Sequence, residues 1–484
     1  MRKSYRNTVE IASYAANLIG VTDLELFERH GMPVLERDVT DLEAALREAV
    51  DTLFPDEKTY ETAAVIVPDE KTAERAYLKA ADLCSQDVIA LSNLAGVYFE
   101  TGRFADGLTV CDRALRRRPD YLNVHIHRGN MLSSLDRYDE AVAAYQTALE
   151  TAPEDPLVLF NLAYALVMTG QYDKAAEIYR RLLTLTPNDP EYLFAYAAFL
   201  EKTEDFETAA EIYLKLLQIE ETPTTHITLG GCLYNLLLLD KTDAVWRLTD
   251  TWLTLFPDNP VALHTLETLK NSREVTRASA EYVRELFDAF ADSFDSVLAG
   301  LSYQAPDLVA SAVKKQSFST VPSILDLGCG TGLCAAALQK EQAVFHSLTG
   351  VDLSAAMLEK ANQRGIYTEL VQSDILSFLP SVKERFDLII SADVFTYLGD
   401  LSELFAGISA ALKQGGRVIF TVSENTADTD GYALEPSGRF VHGRDYILRE
   451  LKKSGLTVLN ISGVELRQEL GKPVYGLLVI GIKT

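Results

Sequence analysis

A spacing of 34 residues runs through the front half of the chain and limits the folds open to it. Phe104, Tyr138, Tyr172 and Phe206 stand 34 residues apart. Two further registers keep the same spacing: Ala141, Ala175 and Ala209, and Pro119, Pro153 and Pro187. Each period contains two helical apolar patterns separated by a short turn, and a proline closes it. The spacing therefore predicts a stack of helical pairs.

These periods resemble the tetratricopeptide repeat, in which small residues stand where the two helices touch and an aromatic residue lies in the second helix. The corresponding positions are Ala95, Gly129, Ala163 and Ala197, and Tyr145, Tyr179 and Tyr213. The pattern is strongest in three units; a fourth, near residues 190–221, has Glu221 in place of the closing proline, and a fifth is out of register. The repeated aromatic residues are interpreted as packing residues. The resemblance implies that the array binds a protein or peptide partner through its concave surface.

A polar stretch, "LKNSREVTRASA", predicts a domain boundary near residue 275. Three regions are expected: an N-terminal helical region at 1–68, an all-α repeat domain at 69–275 and an α/β domain at 276–484. In the last region, seven apolar runs of strand length occur, with helical segments between the first five. This alternation predicts a doubly wound, mostly parallel, Rossmann-like sheet that ends in an antiparallel pair.

The first strand of this sheet leads into a glycine-rich turn, "SILDLGCGTGLCAAAL". Gly328, Gly330 and Gly332 permit a tight turn and close approach of a ligand to the backbone, and the next helix presents free N–H groups. The spacing D-x-G-x-G-x-G, beginning at Asp326, differs from the G-x-G-x-x-G of dinucleotide sites and from the phosphate-binding loop of nucleoside triphosphatases. A dipolar or negatively charged group other than a pyrophosphate is therefore expected there.

Two more carboxylates follow predicted strands. Asp352 ends the second strand, where it can accept hydrogen bonds from both hydroxyls of a ribose. Asp374 follows the third strand and can accept from an adenine amino group, with Ile375 as an apolar platform. Taken singly, Asp352 could be a helix N-cap and Asp374 a turn former. Their combination with the glycine turn favours a nucleoside site.

Together these residues resemble the class I S-adenosylmethionine-dependent methyltransferases, and more narrowly the bacterial members that carry tetratricopeptide repeats in the same chain. The narrower likeness rests on "YVRELFDAFADSFDSVLAGLSYQAPDLV", "SADVFTYLGDL" and "GRFVHGRDYILRELKKSGL". It implies S-adenosylmethionine as the cofactor, with the three glycines along its methionine part and Asp352 on its ribose. It also implies that Leu353 and Met357 flank the adenine and that Asp374 and Ile375 complete that pocket. Asp326 is expected to brace the loop.

The resemblance also suggests where the chemistry occurs. Asp393 and Tyr397, after the fourth strand, are predicted to border the transferred methyl group; the alternatives are a turn aspartate and a packed tyrosine. His442, between the fifth and sixth strands, is a candidate proton acceptor or else a surface-loop histidine. The sequence at the end of the fourth strand, Ala392-Asp393-Val394-Phe395, lacks the pattern of Asn or Asp followed by Pro-Pro and an aromatic residue, which disfavours amide, adenine and cytosine acceptors. Gln304 stands where the family leads us to expect an arginine after Tyr303.

Composition excludes several other classes. A formal net charge of −25 disfavours a nucleic-acid partner. No apolar run approaches the roughly 20 residues of a membrane helix, so no membrane contact is expected. The five cysteines form no C-x-x-C pair, and His125 and His127 do not share a helix face, so no metal is expected. Without a recognisable secretion signal, a cytoplasmic location is expected.

Three hypotheses about function remain open at this point. In the first, the repeats hold a protein that the C-terminal domain methylates. In the second, the acceptor is a small molecule and the repeats attach the enzyme to an assembly. In the third, the C-terminal domain is an inactive S-adenosylmethionine-binding adaptor.

Overall fold

The computed structural model describes Glu74, Tyr77, Leu78 and residues 88–270, 275–469 and 472–484. The predicted N-terminal helical region at 1–68 lies outside the described residues, as does most of the first part of the predicted repeat domain, residues 69–87. The described residues form two compact units, which divide between Tyr192 and Leu193. The domain boundary expected near residue 275 stays a prediction.

Helices make up all the regular structure described before residue 270. They are α1 (Ile89–Glu100), α2 (Phe104–Arg117), α3 (Leu122–Ser134), α4 (Tyr138–Thr151), α5 (Pro156–Met168), α6 (Tyr172–Leu185), α7 (Pro190–Lys202), α8 (Phe206–Ile219), α9 (Pro223–Leu238), α10 (Thr242–Leu255) and α11 (Pro260–Leu269). The four aromatic residues of the 34-residue register are the first residues of α2, α4, α6 and α8. The predicted helical pairs are therefore confirmed. No helix in the described ranges is long and apolar enough to cross a membrane.

The small residues of the repeat permit close helix packing. In the compact unit that ends at Tyr192, an ideal Cβ placed on Gly129 of α3 would lie 2.4 Å from the ring of Tyr145 in α4. Tyr145 is 1% exposed, and its hydroxyl donates to Asn130 Oδ1 at 2.7 Å. Tyr179 and Tyr213, the matching residues of later repeats, are also buried. The interpretation of these aromatics as packing residues is confirmed.

The rest of the chain forms a sheet with helices on both faces. The further helices are α12 (Ala280–Phe290), α13 (Phe294–Gly300), α14 (Ala305–Lys314), α15 (Leu333–Lys340), α16 (Ala355–Gln363), α17 (Ile375–Phe378), α18 (Ser402–Ala411) and α19 (Arg444–Lys453). The strands are β1 (Ser323–Leu327), β2 (Ser347–Asp352), β3 (Glu369–Gln372), β4 (Phe386–Ser391), β5 (Leu412–Ser423), β6 (Tyr432–Leu434), β7 (Phe440–His442), β8 (Leu456–Glu469) and β9 (Lys472–Lys483).

Seven of these strands form one sheet in the order β3-β2-β1-β4-β5-β9-β8. The first five are parallel, whereas β9 runs antiparallel to both β5 and β8. The predicted sheet and its antiparallel C-terminal pair are therefore confirmed. The short hairpin of β6 and β7 is an addition that the sequence analysis did not predict.

Alternate residues of the strands enter apolar cores on opposite faces of the sheet. Leu325 and Leu327 of β1 pack in the core that includes Phe405 of α18 and Ile447 of α19. Ile324 packs in the other core, with residues of α14 and α15. Because both faces are covered, a ligand site is expected beyond the carboxyl ends of the strands, where the strand order reverses between β1 and β4.

Candidate functional site

A pocket lies at this edge of the sheet, and the glycine turn forms part of its wall. Gly328, Gly330 and Gly332 have φ angles of +67°, +54° and +87°, in the left-handed region that favours glycine. An ideal Cβ on Gly328 would lie 2.4 Å from Val394, so a side chain there would collide. Gly328, Gly330 and Thr331 line the pocket, whereas Gly332 precedes α15 and lies outside the lining.

Asp352 lines the pocket at the end of β2 and is held by backbone groups. Its Oδ2 accepts from Gly330 N at 2.8 Å and its Oδ1 from Ser354 N at 2.9 Å. Burial raises the pKa of this carboxyl, and the N–H donors partly oppose that shift. Ser354, rather than Asp352, caps α16. Asp352 is thus fixed against the glycine turn with its remaining lone pairs available to a ligand.

Asp374, Ile375 and Leu353 line the same side of the pocket. Asp374 caps α17, accepting from Leu376 N at 3.1 Å, which confirms the turn-forming alternative. Its other oxygen lies 3.4 Å from Nη1 of Arg277. Asp374 therefore forms the turn with one carboxylate oxygen and still lines the pocket.

Two further residues predicted to serve the cofactor do not line the pocket. Asp326 is 1% exposed and its Oδ2 accepts from the Tyr367 hydroxyl at 2.7 Å, consistent with a brace behind the loop. Burial raises its pKa to about 7. Met357 is fully buried on α16.

His442 does not reach the pocket, in contrast to the sequence-based prediction. It ends β7, is 0% exposed and lies beside Tyr446 with the two rings stacked. Its Nε2 donates to the carbonyl of Leu398 at 2.8 Å, and burial lowers its pKa to about 4. His442 is therefore neither a proton acceptor in the pocket nor a surface-loop histidine, the two alternatives that the sequence left open. The placement follows from β7, all three residues of which are buried.

Helices α12 and α13 cover the pocket and are here called the cover. Their apolar residues Val283, Phe287, Phe294 and Leu298 face the pocket. Three acidic residues tie the cover to the cofactor side: Asp288 accepts from Ser354 Oγ, Asp292 pairs with Lys360 and Asp295 accepts from Thr331 Oγ1. These links were not predicted, because Asp288 and Asp295 stand on α12 and α13 and Asp292 lies between the two helices, at positions where acidic residues usually face solvent.

The pocket extends to a set of polar residues near β4, here called the β4 end: Tyr303, Asp393, Tyr397, Arg439 and Arg467. Asp393 has φ of +58° and donates its N–H to Thr421 Oγ1 at 2.9 Å. Its Oδ2 lies 2.8 Å from Nη1 of Arg467. Its Oδ1 is buried and has no hydrogen-bond partner among the described residues.

Sequence reasoning missed Arg467, which is 4% exposed. A register shift between Glu465 and Arg467 in β8 marks a bulge, and bulges redirect side chains. Next to the bulge, Gln304 N donates to Leu466 O at 2.8 Å, which brings this part of β8 beside Tyr303. Polar residues also stand at other positions of β8, among them Asn460, Glu465 and Gln468, so the local sequence carried no signal of a buried ion pair at Arg467.

The residues of the pocket fit S-adenosylmethionine. A backbone turn without side chains, a buried carboxylate at the end of β2 and apolar walls from Leu353 and Ile375 suit a nucleoside with a dipolar chain. The cover supplies further apolar surface. Asp352 can accept from ribose hydroxyls, and the bare turn admits close contact of an amino acid moiety.

Comparisons with known proteins agree with this geometry. A family described as "Methyltransferase domain" matches residues 324–416, and two described as "Tetratricopeptide repeat" match 86–154 and 128–190. A fourth, "Anaphase-promoting complex, cyclosome, subunit 3", matches residues 168–242. The uncharacterized methyltransferase YdaC of Bacillus subtilis is 30% identical over 152 residues, which are 31% of this chain and 78% of that protein.

Two other proteins are similar to parts of the chain. The ubiquinone biosynthesis O-methyltransferase of Coxiella burnetii is 26% identical over 158 residues; the match spans 29% of this chain and 66% of that protein, just under two thirds of its length. The solved structure of YrrB, a TPR protein with an unusual peptide-binding site, is 20% identical with a TM-score of 0.33, covering 40% of this chain and 99% of that one.

The chain belongs to the class I S-adenosylmethionine-dependent methyltransferases, and tetratricopeptide repeats precede its methyltransferase domain. S-adenosylmethionine is the methyl donor of this domain.

Proposed function

We propose that this protein transfers a methyl group from S-adenosylmethionine to an oxygen or nitrogen acceptor bound at the β4 end. When bound, the cofactor supplies a methyl group already activated by its sulfonium. Gly328, Gly330 and Asp352 would hold its methionine and ribose parts, while Leu353 and Ile375 would enclose the adenine. Asp374 would accept from the adenine amino group. The cover would exclude water from the pocket.

The unpartnered Oδ1 of Asp393 carries the proposal about the acceptor. A buried carboxylate oxygen without a hydrogen-bond donor is costly, and an acceptor that brings an O–H or N–H would supply one. Methylation of such a group releases a proton, and Asp393 is positioned to receive it. The ion pair with Arg467 and the N–H bond to Thr421 keep the carboxylate directed at the pocket.

One relative supports an oxygen acceptor, because its name describes an O-methyltransferase of ubiquinone biosynthesis. Tyr397 would form the wall beside the acceptor, in contact with Phe287 of the cover at a ring-centroid distance of 5.4 Å. Tyr303, whose hydroxyl donates to Ala392 O at 3.4 Å, would close the pocket beneath. Burial raises the pKa of Tyr303 well above its ordinary range, so it stays protonated.

For the repeats, we propose binding of a protein or peptide partner. The compact unit that ends at Tyr192 has large apolar side chains that are between 38% and 51% exposed, among them Leu135, Leu157, Tyr164 and Met168. Exposed large apolar side chains favour association with another macromolecule. The partner can be the methylated substrate, or it can locate an enzyme whose acceptor is a small molecule; the adaptor hypothesis requires no acceptor at all.

Incubation of the full chain with methyl-labelled S-adenosylmethionine and a depleted cell extract tests the proposal. Asp352→Ala serves as the variant that loses the cofactor, and Asp393→Asn as one that keeps S-adenosylhomocysteine affinity but loses transfer. Label in the protein fraction supports a protein substrate. Label among small molecules supports a small-molecule acceptor, with the repeats attaching the enzyme to an assembly. Absence of label in both fractions with the intact protein contradicts methyl transfer and favours the adaptor.

A further inference from the structure

The last helix of the predicted repeat domain, α11, contacts the small hairpin of β6 and β7. His264 of α11 is 7% exposed, and its Nε2 donates to the carbonyl of Gly438 at 2.9 Å. Its ring stacks on Tyr282 of α12 with centroids 4.0 Å apart and an interplanar angle of 26°. His264 therefore touches both the hairpin and the cover.

The hairpin turn that His264 contacts is tight. Gly438 N donates to Glu435 O at 2.9 Å, and Glu435 N donates to Arg439 O at 2.9 Å. Gly438 has φ of +80°, and an ideal Cβ there would lie 3.1 Å from the Tyr282 hydroxyl and 3.4 Å from His264 Nε2. The turn is thus packed between the histidine and the tyrosine, and glycine is required by both conformation and space.

Arg439, the residue after Gly438, lines the β4 end of the pocket. The other end of the hairpin is attached to the loop after β4, because His442 donates to Leu398 O. Gly399 of that loop also packs tightly, since an ideal Cβ there would lie 2.5 Å from Tyr432. The hairpin is therefore held at its base by the loop after β4 and at its turn by His264.

We infer that His264 is a positioning residue for methyl transfer: by holding the turn at residues 435–439, it keeps Arg439 at the β4 end. Helix α11 thereby completes the acceptor side of the pocket, in addition to any partner that the repeats bind. A guanidinium at this place offers hydrogen-bond donors to oxygen atoms of the acceptor. This inference rests on the proposed function, because Arg439 matters for catalysis only if an acceptor binds there.

His264→Ala in the full chain removes the contact, and His264→Gln is the conservative variant, because its amide can still donate to the Gly438 carbonyl. His226→Ala is a matched control. His226 is also a buried histidine of the repeats, 1% exposed, but its ring accepts from Trp252 Nε1 at 2.9 Å instead of contacting the hairpin. Loss of repeat stability alone would affect both alanine variants.

Hydrogen exchange measured by mass spectrometry on peptides covering residues 432–442 reads the hairpin directly. His264→Ala should speed exchange there about tenfold, which corresponds to loss of one buried hydrogen bond. Peptides covering the glycine turn should be unchanged, and His264→Gln should recover most of the protection. Unchanged hairpin exchange in His264→Ala, or an equal increase in His226→Ala, would overturn the inference.

Methylation assays at several concentrations of the cell extract measure the functional effect. His264→Ala should raise the extract concentration needed for half-maximal labelling by roughly fivefold, while the maximal rate and S-adenosylhomocysteine affinity change less than about twofold. A drop in maximal rate with unaltered half-saturation would contradict a positioning role. If the intact protein transfers no label, the proposed function fails, whereas the exchange experiment still decides the contact.

Discussion

Arg467 Nη1 lies 2.8 Å from Asp393 Oδ2, and the two side chains are only 5% and 11% exposed. They come from β8 and from the loop after β4, and they meet in the pocket. Removing two charges from water costs several kcal/mol per ion, and mutual attraction offsets that cost only while both partners are present. An ion pair in such a place is therefore better explained by a role in the site than by stability.

Arg467→Met should lower the free energy of unfolding by about 3–5 kcal/mol, because it leaves the Asp393 carboxylate buried without its cation. Adding Asp393→Asn to that variant should restore part of the loss, since the unpaired charge is then absent. Urea denaturation of the two single variants and the double variant measures the coupling. Additive losses in the double variant would show that the two side chains act independently.

Asp393→Asn alone should reduce methyl transfer by about 10²-fold or more, because an amide cannot accept the proton. Asparagine tolerates the left-handed backbone at this position, and its amide oxygen can still accept from Arg467, so the site should keep its shape although the unpaired guanidinium lowers stability. S-adenosylhomocysteine affinity, measured by calorimetry, should stay within about twofold. Turnover equal to that of the unaltered protein would remove Asp393 from the mechanism.

Gly328→Ala should weaken cofactor binding strongly. Gly365→Ala provides a matched comparison, because Gly365 has φ of +66°, almost the same as the +67° of Gly328, but an ideal Cβ on Gly365 meets no atom within 4 Å. Both substitutions carry the left-handed backbone cost of roughly 1–2 kcal/mol. Only Gly328→Ala adds a collision with Val394, 2.4 Å away, in the wall of the pocket.

Thermal melting and S-adenosylhomocysteine calorimetry separate these two effects. Both variants should melt at lower temperature, but only Gly328→Ala should lose affinity, by about tenfold or more, which corresponds to a loss of roughly 1.4 kcal/mol. Equal affinity in the two variants would mean that the turn moves aside and does not line the cofactor site as proposed.

The parts of the fold that local patterns control were predictable. The 34-residue spacing and the alternation of strands and helices are properties of short windows, so they identified the repeats and the seven-stranded sheet. Asp352 and Asp374 were recognisable because the carboxyl ends of parallel strands meet at one edge. The glycine turn was recognisable because φ angles above zero favour glycine.

Residues that long-range packing brings together were not predictable. Arg467 reaches Asp393 only because β8 is bulged and lies beside the segment before α14, which no window of the sequence contains. His442 has the residue type of a proton acceptor, yet it is buried in β7 and donates a hydrogen bond to the carbonyl of Leu398 instead. His264 lies in α11 of the predicted repeat domain, where no motif marks it, and its contact is 174 residues away in sequence.

The stability of the protein should fall as the pH drops from 6.5 to 4, partly because of His442. Burial lowers its folded-state pKa to about 4, below its ordinary value of 6.5, so the unfolded chain binds more protons in this interval. Above pH 6.5, where His442 is neutral in both states, the free energy of unfolding is higher by roughly 3 kcal/mol than it is when His442 is protonated in both states. His442→Gln, which can still donate to Leu398 O, should reduce this pH dependence.

Urea midpoints of both proteins at pH 7 and pH 4.5 test this prediction. Burial also lowers the pKa values of His127, His226 and His264, but these residues are common to both proteins, so the difference isolates His442. The glutamine variant should keep its turnover at pH 7. A large loss of turnover there, with unchanged S-adenosylhomocysteine affinity, would restore His442 as the proton acceptor.

Asp326 should produce the opposite pH dependence. Burial raises its pKa to about 7 from an ordinary 3.8, so between these values the folded state binds more protons than the unfolded chain. The free energy of unfolding therefore falls as the pH rises through this interval, by up to roughly 4 kcal/mol. Asp326→Asn removes the titration and retains an oxygen that accepts from the Tyr367 hydroxyl. The variant should therefore be more stable than the unaltered protein at pH 8 and similar to it at pH 4.

Asp387→Asn, on the neighbouring strand β4, is the control with the opposite sign. Burial raises the pKa of Asp387, but the Lys413 ammonium at 2.8 Å and the Ser323 N–H outweigh that effect and leave the pKa lowered. This substitution should destabilise the protein at pH 8, where the carboxylate is ionised and paired. Urea denaturation at both pH values compares the two variants. Because Asp326 lies behind the glycine turn without lining the pocket, its variant should also keep S-adenosylhomocysteine affinity, and loss of both stability and affinity at pH 8 would mean that the ionised carboxylate is needed to hold the turn.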